Sequence, residues 1–246
     1  FLVPNAQLPE PMRQLKNVTQ MYVSVDAPTS DALKKIDRPL FSDYWERLLQ
    51  CLDVLRQRRQ RTVFRLTLVK GWNMHDVEGY ARLVARGQPH FIEIKGVTFA
   101  GNGKRNTLTM QNVPWHEEVI QFSRALCDAL SRVDYGAVAA SSSNGGTSTT
   151  TAAVTTTATA SPDYALACEH EHSCLVLVAD RRRCSRNGQW HTWIDYDKFH
   201  ELNNAGVEFG AEDYMAPTPA WAVFGADERG FDPTETRFRR AGAAAR

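Results

Sequence analysis

The chain lacks an excess of either charge. Its 29 Lys and Arg face 28 Asp and Glu, for a formal net charge of +1. No global field therefore draws it onto nucleic acid or a membrane surface. Any nucleic-acid contact must come from local patches. Three basic clusters are candidates: Arg56, Arg58, Arg59 and Arg61; Arg181, Arg182, Arg183 and Arg186; and Arg237, Arg239 and Arg240. Each reads more simply as a solvated face. The chain also lacks an apolar run near the roughly 20 residues that a membrane helix needs. Cysteine is sparse: five residues, at 51, 127, 168, 174 and 184. That odd, scattered set excludes the disulfide framework of a small secreted domain and points to a reducing, cytoplasmic setting. An initiator Met is absent too. FLVPNAQLP, from Phe1, reads as mid-domain strand and loop, so an N-terminal part is expected upstream.

What is present is 246 residues, enough for one large domain with a sizeable core. A strand end is expected at 1–3 and a strand at 20–25 (QMYVSV), ending at Asp26. Trp45, Leu48, Leu49, Leu52 and Leu55 recur at the helical period and predict a helix over 43–59. TVFRLTLV predicts a strand over 62–69. Asn73 is the expected N-cap of a helix reaching 85, with Asp76 in its first turn. A strand over 91–94 and a loop with Gly96, Gly101 and Gly103 follow, then a Pro114-started helix to 132. This alternation, with short connections, argues for parallel βαβ units, in a partial barrel or an open doubly wound sheet. Pattern alone does not choose.

Four regions follow: 1–135 as β/α units, 136–162 as a low-complexity insertion, 163–236 as last strands and an α+β extension, and 237–246 as a basic tail. The insertion (SSSNGGTSTTTAAVTTTATAS) carries no charge and little apolar bulk. It is expected to be disordered, like the tail. One strand is expected over 164–178, a short one over 190–196 and a helix over 199–203.

CEHEHSC, Cys168 to Cys174, looks like a metal site. On one extended strand Cys168, His170, His172 and Cys174 share a face, but its ends lie about 20 Å apart. Zinc ligands must sit about 2.0–2.3 Å from one ion. Only His170 and His172 could pair, and no second cluster completes the set. The expectation is no metal here, and a polar strand end lining a pocket. A metal-dependent barrel hydrolase using His170 and His172 stays open as an alternative.

The strand ends carry an unusual polar load: Ser24 and Asp26; Arg65, Thr67 and Lys70; Glu93 and Lys95. In parallel α/β architectures ligands bind at carboxyl strand ends, although ion pairs capping a sheet edge would use the same residues. His116 stands in the first turn of a Pro-started helix. AWAVFGADERGFDP combines aromatics with Arg229, which suits stacking on an unpaired nucleotide or a packed aromatic corner.

VTQMYVSVDAPT, RLTLVKGWN, FIEIKGVTF, LTMQNVPWHEEV, ACEHEHS, TWIDYDKF and TPAWAVFGADERGFDP occur in this order. Together they resemble the radical SAM tRNA 4-demethylwyosine synthases of wybutosine biosynthesis, over nearly the whole chain except the insertion and tail. The resemblance implies an α/β fold, a partial (β/α) TIM-type barrel of the radical SAM class, with the wyosine-forming region in the C-terminal part. It implies a lyase that joins pyruvate carbons to N1-methylguanosine beside the anticodon of tRNA(Phe). S-adenosylmethionine and [4Fe-4S] clusters are the implied cofactors, with FMN in a further N-terminal module. The implied partners are tRNA(Phe), pyruvate and an electron donor, with no membrane and a monomeric protein.

Several departures matter. The CxxxCxxC signature, the second set of cluster cysteines and the usual pyruvate lysine do not occur here, and no cysteine spacing suits a cubane cluster. The chain alone is therefore expected to be inactive. A non-catalytic tRNA-binding fragment is the second alternative. The family often has cysteine at Ala100, one more residue between Ser173 and Cys174, and a basic residue and a histidine at Pro217 and Ala220. By position on matching strands, Asn5, Ser24, Asp26, Arg65 and Thr67 are the S-adenosylmethionine candidates. Lys70, Glu93 and Lys95 are the catalytic candidates. His116, Glu169, His170, Glu171, His172, Trp221, Phe224, Arg229 and Phe231 are the substrate and RNA candidates.

Overall fold

A computed structural model describes residues 1–99, 101, 108–142 and 161–235. The fold is mixed α/β. Strands β1 (Gln20–Ser24), β2 (Arg61–Leu68) and β3 (Phe91–Gly96) run parallel. The hairpin β4 (Tyr164–His170) and β5 (Leu175–Asp180) joins them antiparallel, giving the order β1-β2-β3-β5-β4. Leu2 adds one parallel bridge to Met21, which is where a strand end is expected from the sequence.

Six helices come from the connections: α1 (Pro9–Gln14), α2 (Ser30–Asp37), α3 (Tyr44–Arg56), α4 (Val77–Gly87), α5 (His116–Ser131) and α6 (Tyr135–Ser142). The sequence pattern anticipates α3, α4 and α5 and misses the other three. Alternate residues of each strand point at the helices. Val23, Phe64, Leu66, Leu68, Ile92, Ile94, Val176 and Val178 are fully buried there, against Leu48, Leu52, Leu55, Val84, Val119 and Leu126. The low-complexity stretch begins inside α6, contrary to the expectation of disorder from residue 136. Its remainder, residues 143–160, and 236–246 of the tail lie outside the described residues, as do Ala100 and Gly103.

Two local expectations are corrected. Asn73 does not cap α4; Asp76 does, its carboxylate accepting from the Gly79 N–H at 2.8 Å. Asn73 is buried in the preceding turn. Its Oδ1 accepts from Val69 N–H at 2.7 Å, and its Nδ2 donates to the Asp26 and Thr67 carbonyls at 2.9 and 2.8 Å. It thus ties the ends of β1 and β2 together. Second, 164–178 is not one strand. The chain turns back through a single 3-10 turn, Glu171–Ser173, with Cys174 left-handed at φ 47°. Cys174 N–H to Glu171 carbonyl, at 2.8 Å, closes the turn. CEHEHSC is therefore a hairpin tip, and the four alternating residues do not share one extended face.

Beyond the hairpin lie α7 (Arg181–Cys184), α8 (Tyr196–Ala205) and two small antiparallel pairs. β6 (Ser185–Arg186) meets β7 (Gln189–Trp190), and β8 (Trp193–Ile194) meets β9 (Met215–Ala216). This region folds under the start of β2. Arg61 there donates from Nε to Gln20 Oε1 at 2.8 Å, and from its two terminal nitrogens to the Trp193 and Thr192 carbonyls at 2.9 and 2.7 Å.

Candidate functional site

The sheet face turned away from the helices carries the polar strand residues. Register aligns Ser24, Arg65, Glu93 and Leu177 in one row, and Thr67, Lys95, Leu175 and His170 in the next. All eight are partly exposed. The alternation predicted from the sequence thus brings Ser24, Arg65, Thr67, Glu93 and Lys95 onto one surface, near the carboxyl ends of the parallel strands. Arg65 Nε lies 3.3 Å from Glu93 Oε1. Tyr22 stands one row away. Burial, and then the charge of Glu93, push its hydroxyl up to about 12. Among the described residues Lys95 makes no ion pair. Lys70 lies beyond the end of β2 and pairs with Glu118 of α5 at 2.5 Å. That contact, with the Trp115 N–H, holds the Glu118 carboxyl below its ordinary range.

A pocket of about 360 Å³ opens where β1 ends. Asn5, Ser24 and Asp26 line it together with Asp37, Arg38 and Phe41. Three of the five cofactor candidates therefore share one cavity, while Arg65 and Thr67 lie outside its lining, on the neighbouring strand β2. Burial, with Asp37 nearby, raises the Asp26 carboxyl to about 6, against the pull of Thr67 hydrogen bonds and Arg65.

A second cleft, of about 460 Å³, runs along the open face toward the strand starts. Tyr22, Arg61, Glu93, His170, Trp193 and Trp221 are among its walls. From sequence alone Arg61 falls only in a surface cluster. Its position on β2, four residues before Arg65 and so on the same face, was the available signal. Burial lowers its pKa, and its guanidinium lies 4.4 Å from the Phe91 ring centre.

The remaining candidates meet at the hairpin. Glu169, at the end of β4, is buried. Its Oε2 lies 2.9 Å from His116 Nε2, and its Oε1 accepts from the Gly225 N–H at 2.8 Å. Arg229 Nε is 3.9 Å from the same carboxylate, and Arg229 also donates to Glu171 at 2.6 Å. His116, Glu169, Glu171 and Arg229 are thus joined in one internal network. Trp221 packs edge-on against Trp193, and Phe224 lies under Arg124. His170, His172 and Phe231 form a separate ring cluster.

Among the described residues no group of three or more His, Cys, Asp or Glu side chains is placed to hold a metal ion. All five cysteines are free, and Cys51, Cys168 and Cys184 are buried. No helix of the described residues is long and apolar enough to cross a membrane.

A family model described as wyosine base formation matches residues 86–144. It ends before 163–236, where the sequence reading places the wyosine-forming region. An S-adenosyl-L-methionine-dependent tRNA 4-demethylwyosine synthase of Oryza sativa subsp. japonica is 51% identical over 100% of this chain and 33% of its own length. Counterparts in Danio rerio and Homo sapiens are 51% and 48% identical, each over 98% of this chain and 29% of their own length. The chain is homologous to a part of the tRNA 4-demethylwyosine synthases. It spans about a third of the length of these relatives. A solved structure of TYW1 with a lysine-pyruvate adduct bound aligns with TM-score 0.54 and 24% identity, over 74% of this chain and 47% of that one, which supports the fold. The synthase names carry S-adenosyl-L-methionine dependence and tRNA modification. They give no support to the hydrolase built on His170 and His172, nor to a non-catalytic fragment.

Proposed function

We propose that this chain supplies part of the active site of a radical SAM tRNA 4-demethylwyosine synthase, a lyase. The reaction joins pyruvate carbons to N1-methylguanosine beside the anticodon of tRNA(Phe). The observation that carries this reading is the open polar face at the carboxyl ends of β1, β2 and β3, in a chain about half identical to such synthases. Helices on one face and polar side chains on the other suit a partial barrel with its reaction chamber inside.

An iron-sulfur cluster does not fit the described residues, whose cysteines are scattered and mostly buried. We therefore expect the chain alone to be inactive, and an electron donor to act on other parts of the protein. S-adenosylmethionine does fit. Asn5, Ser24 and Asp26 offer acceptors for ribose hydroxyls and an ammonium group, and Arg65 and Thr67 neighbour Ser24 and Asp26 from β2. Bound there, it would supply the radical, given one electron from a cluster held by other parts of the protein. Lys95, which makes no ion pair among the described residues, would orient an anionic group such as the pyruvate carboxylate. Glu93 and Lys70, each already paired with an opposite charge, hold the chamber's field and geometry. A monomer acting in the cytoplasm completes the proposal.

The test is Arg65→Ala in the intact synthase, read by S-adenosylmethionine binding and by mass of the modified nucleoside. Weaker binding with lower yield is expected. Unchanged binding and yield would remove Arg65 from the site. S-adenosylmethionine cleavage by the 246-residue chain alone, after iron and sulfide reconstitution, would overturn the expected inactivity.

A further inference from the structure

We infer that His170, His172 and Phe231 form a stacking platform for an unpaired RNA base beside the one being modified, with Glu169 and His116 as positioning residues beneath it. The inference rests on the tRNA-modifying reading above and assigns it a contact surface.

Nine residues were candidates for RNA contact, and the structure separates them. His116 and Glu169 are buried, and Glu171 and Arg229 neutralise each other. These four hold the chain rather than face a ligand. Trp221 and Phe224 are each engaged by another side chain. The three that remain turn rings outward together. The His170 and Phe231 ring centres are 5.2 Å apart, His172 and Phe231 6.2 Å, and His170 and His172 6.5 Å. His172 is exposed and Phe231 is 37% exposed.

Their location fits a base adjoining the reaction chamber. His170 closes the row that holds Thr67 and Lys95, so the rings border the polar face at its carboxyl end. Flat rings with polar edges suit a nucleobase, whose faces stack on His and Phe and whose edge seeks hydrogen bonds. His170 Nδ1 is already engaged with Ser173 Oγ at 2.9 Å, which fixes that ring.

The platform is built rather than incidental. Arg229 is left-handed at φ 47°, and Glu171 N–H donates to its carbonyl at 3.1 Å. Gly230 follows at φ 89°, and its N–H reaches the Trp221 carbonyl at 3.0 Å. A Cβ at Gly230 would fall on the Glu169 carbonyl oxygen, so only glycine lets Phe231 approach the hairpin. The Glu169 carboxylate then pins the other end of this segment through Gly225. Rings held this way lose little freedom when a base stacks on them.

The test uses the intact synthase and an RNA hairpin whose loop carries the target N1-methylguanosine, with 2-aminopurine at either neighbouring position. Binding is measured at one fixed salt concentration, since phosphate contacts shift with salt. Wild type should quench one of the two labels. Phe231→Ala should weaken binding about tenfold and abolish that quenching. Phe231→Trp should restore both. His172→Ala, at an exposed position, should show the same direction and serves if Phe231→Ala does not fold. Glu169→Gln should reduce quenching, with less effect on affinity than Phe231→Ala. Equal affinity and quenching in Phe231→Ala or His172→Ala would overturn the platform while leaving the tRNA reading intact. A wild-type enzyme that binds neither hairpin would overturn both.

Discussion

Replacing Glu169 with alanine tests how the C-terminal segment is held. The carboxylate side chain is 3% exposed and His116 is 4% exposed, so solvent screens their contact little. In Glu169→Ala the imidazole loses its one hydrogen-bond partner among the described residues, where Nδ1 has none. A buried polar group left this way costs about 1–3 kcal/mol. The Gly225 N–H sits at an exposed residue and rehydrates, which adds at most about 1 kcal/mol. Arg229 is 37% exposed and keeps Glu171, so its 3.9 Å contact counts for little. The expected loss is about 1–4 kcal/mol, within the stability of an ordinary domain. Glu169→Gln keeps an acceptor for Gly225 and offers an amide N–H to His116, so its loss should be about 1 kcal/mol. Urea unfolding of the chain at neutral pH, extrapolated linearly, measures both. Limited proteolysis should cut 224–231 faster in the alanine variant. If alanine costs under about 0.5 kcal/mol, or if glutamine costs as much as alanine, the carboxylate does not hold the segment as argued.

Two further outcomes are expected. Asn73→Ala strips one buried and two part-buried hydrogen bonds from the ends of β1 and β2, so stability should fall by about 2–4 kcal/mol and the Val69 amide should exchange faster; unchanged exchange would argue against the brace. Asp26 has a folded pKa raised to about 6, so between about pH 4 and 6 the unfolded chain releases this proton while the folded chain keeps it. Stability should therefore decline as pH rises through that window. Asp26→Asn should remove the slope and gain on the order of 2 kcal/mol at pH 7; a variant with the wild-type slope would refute the assignment.

The parallel core was legible because its signals are local and agree. TVFRLTLV and FIEIKG alternate cleanly, and β2 and β3 form where the pattern puts them. The stripe through Leu48, Leu52 and Leu55 marks the buried face of α3. The hairpin tip was not legible. It contains no glycine or proline, Cys174 takes the left-handed conformation without either, and polar alternation runs through the turn as through a strand. Asn73 and Asp76 are both good caps by residue type. Which one caps is settled by the Asp26 and Thr67 carbonyls that claim the Asn73 amide, a contact across 47 residues in one case. The candidate face was readable from period-two spacing. The partnership of His116 with Glu169 was not, since 53 residues separate them. Arg61 was hidden for a similar reason: its carbonyl partners lie on a distant segment.

The last strand of the sheet, β4, does not end in open solvent. Cys168 bridges Val223 antiparallel, and Phe224 N–H donates to the Ala167 carbonyl at 3.0 Å. The segment that carries Phe231 therefore also blocks a row of backbone groups that another copy of the chain could otherwise pair with. Anything that frees this segment should show itself first as loss of solubility, with turbidity rising at concentrations where the intact chain stays clear.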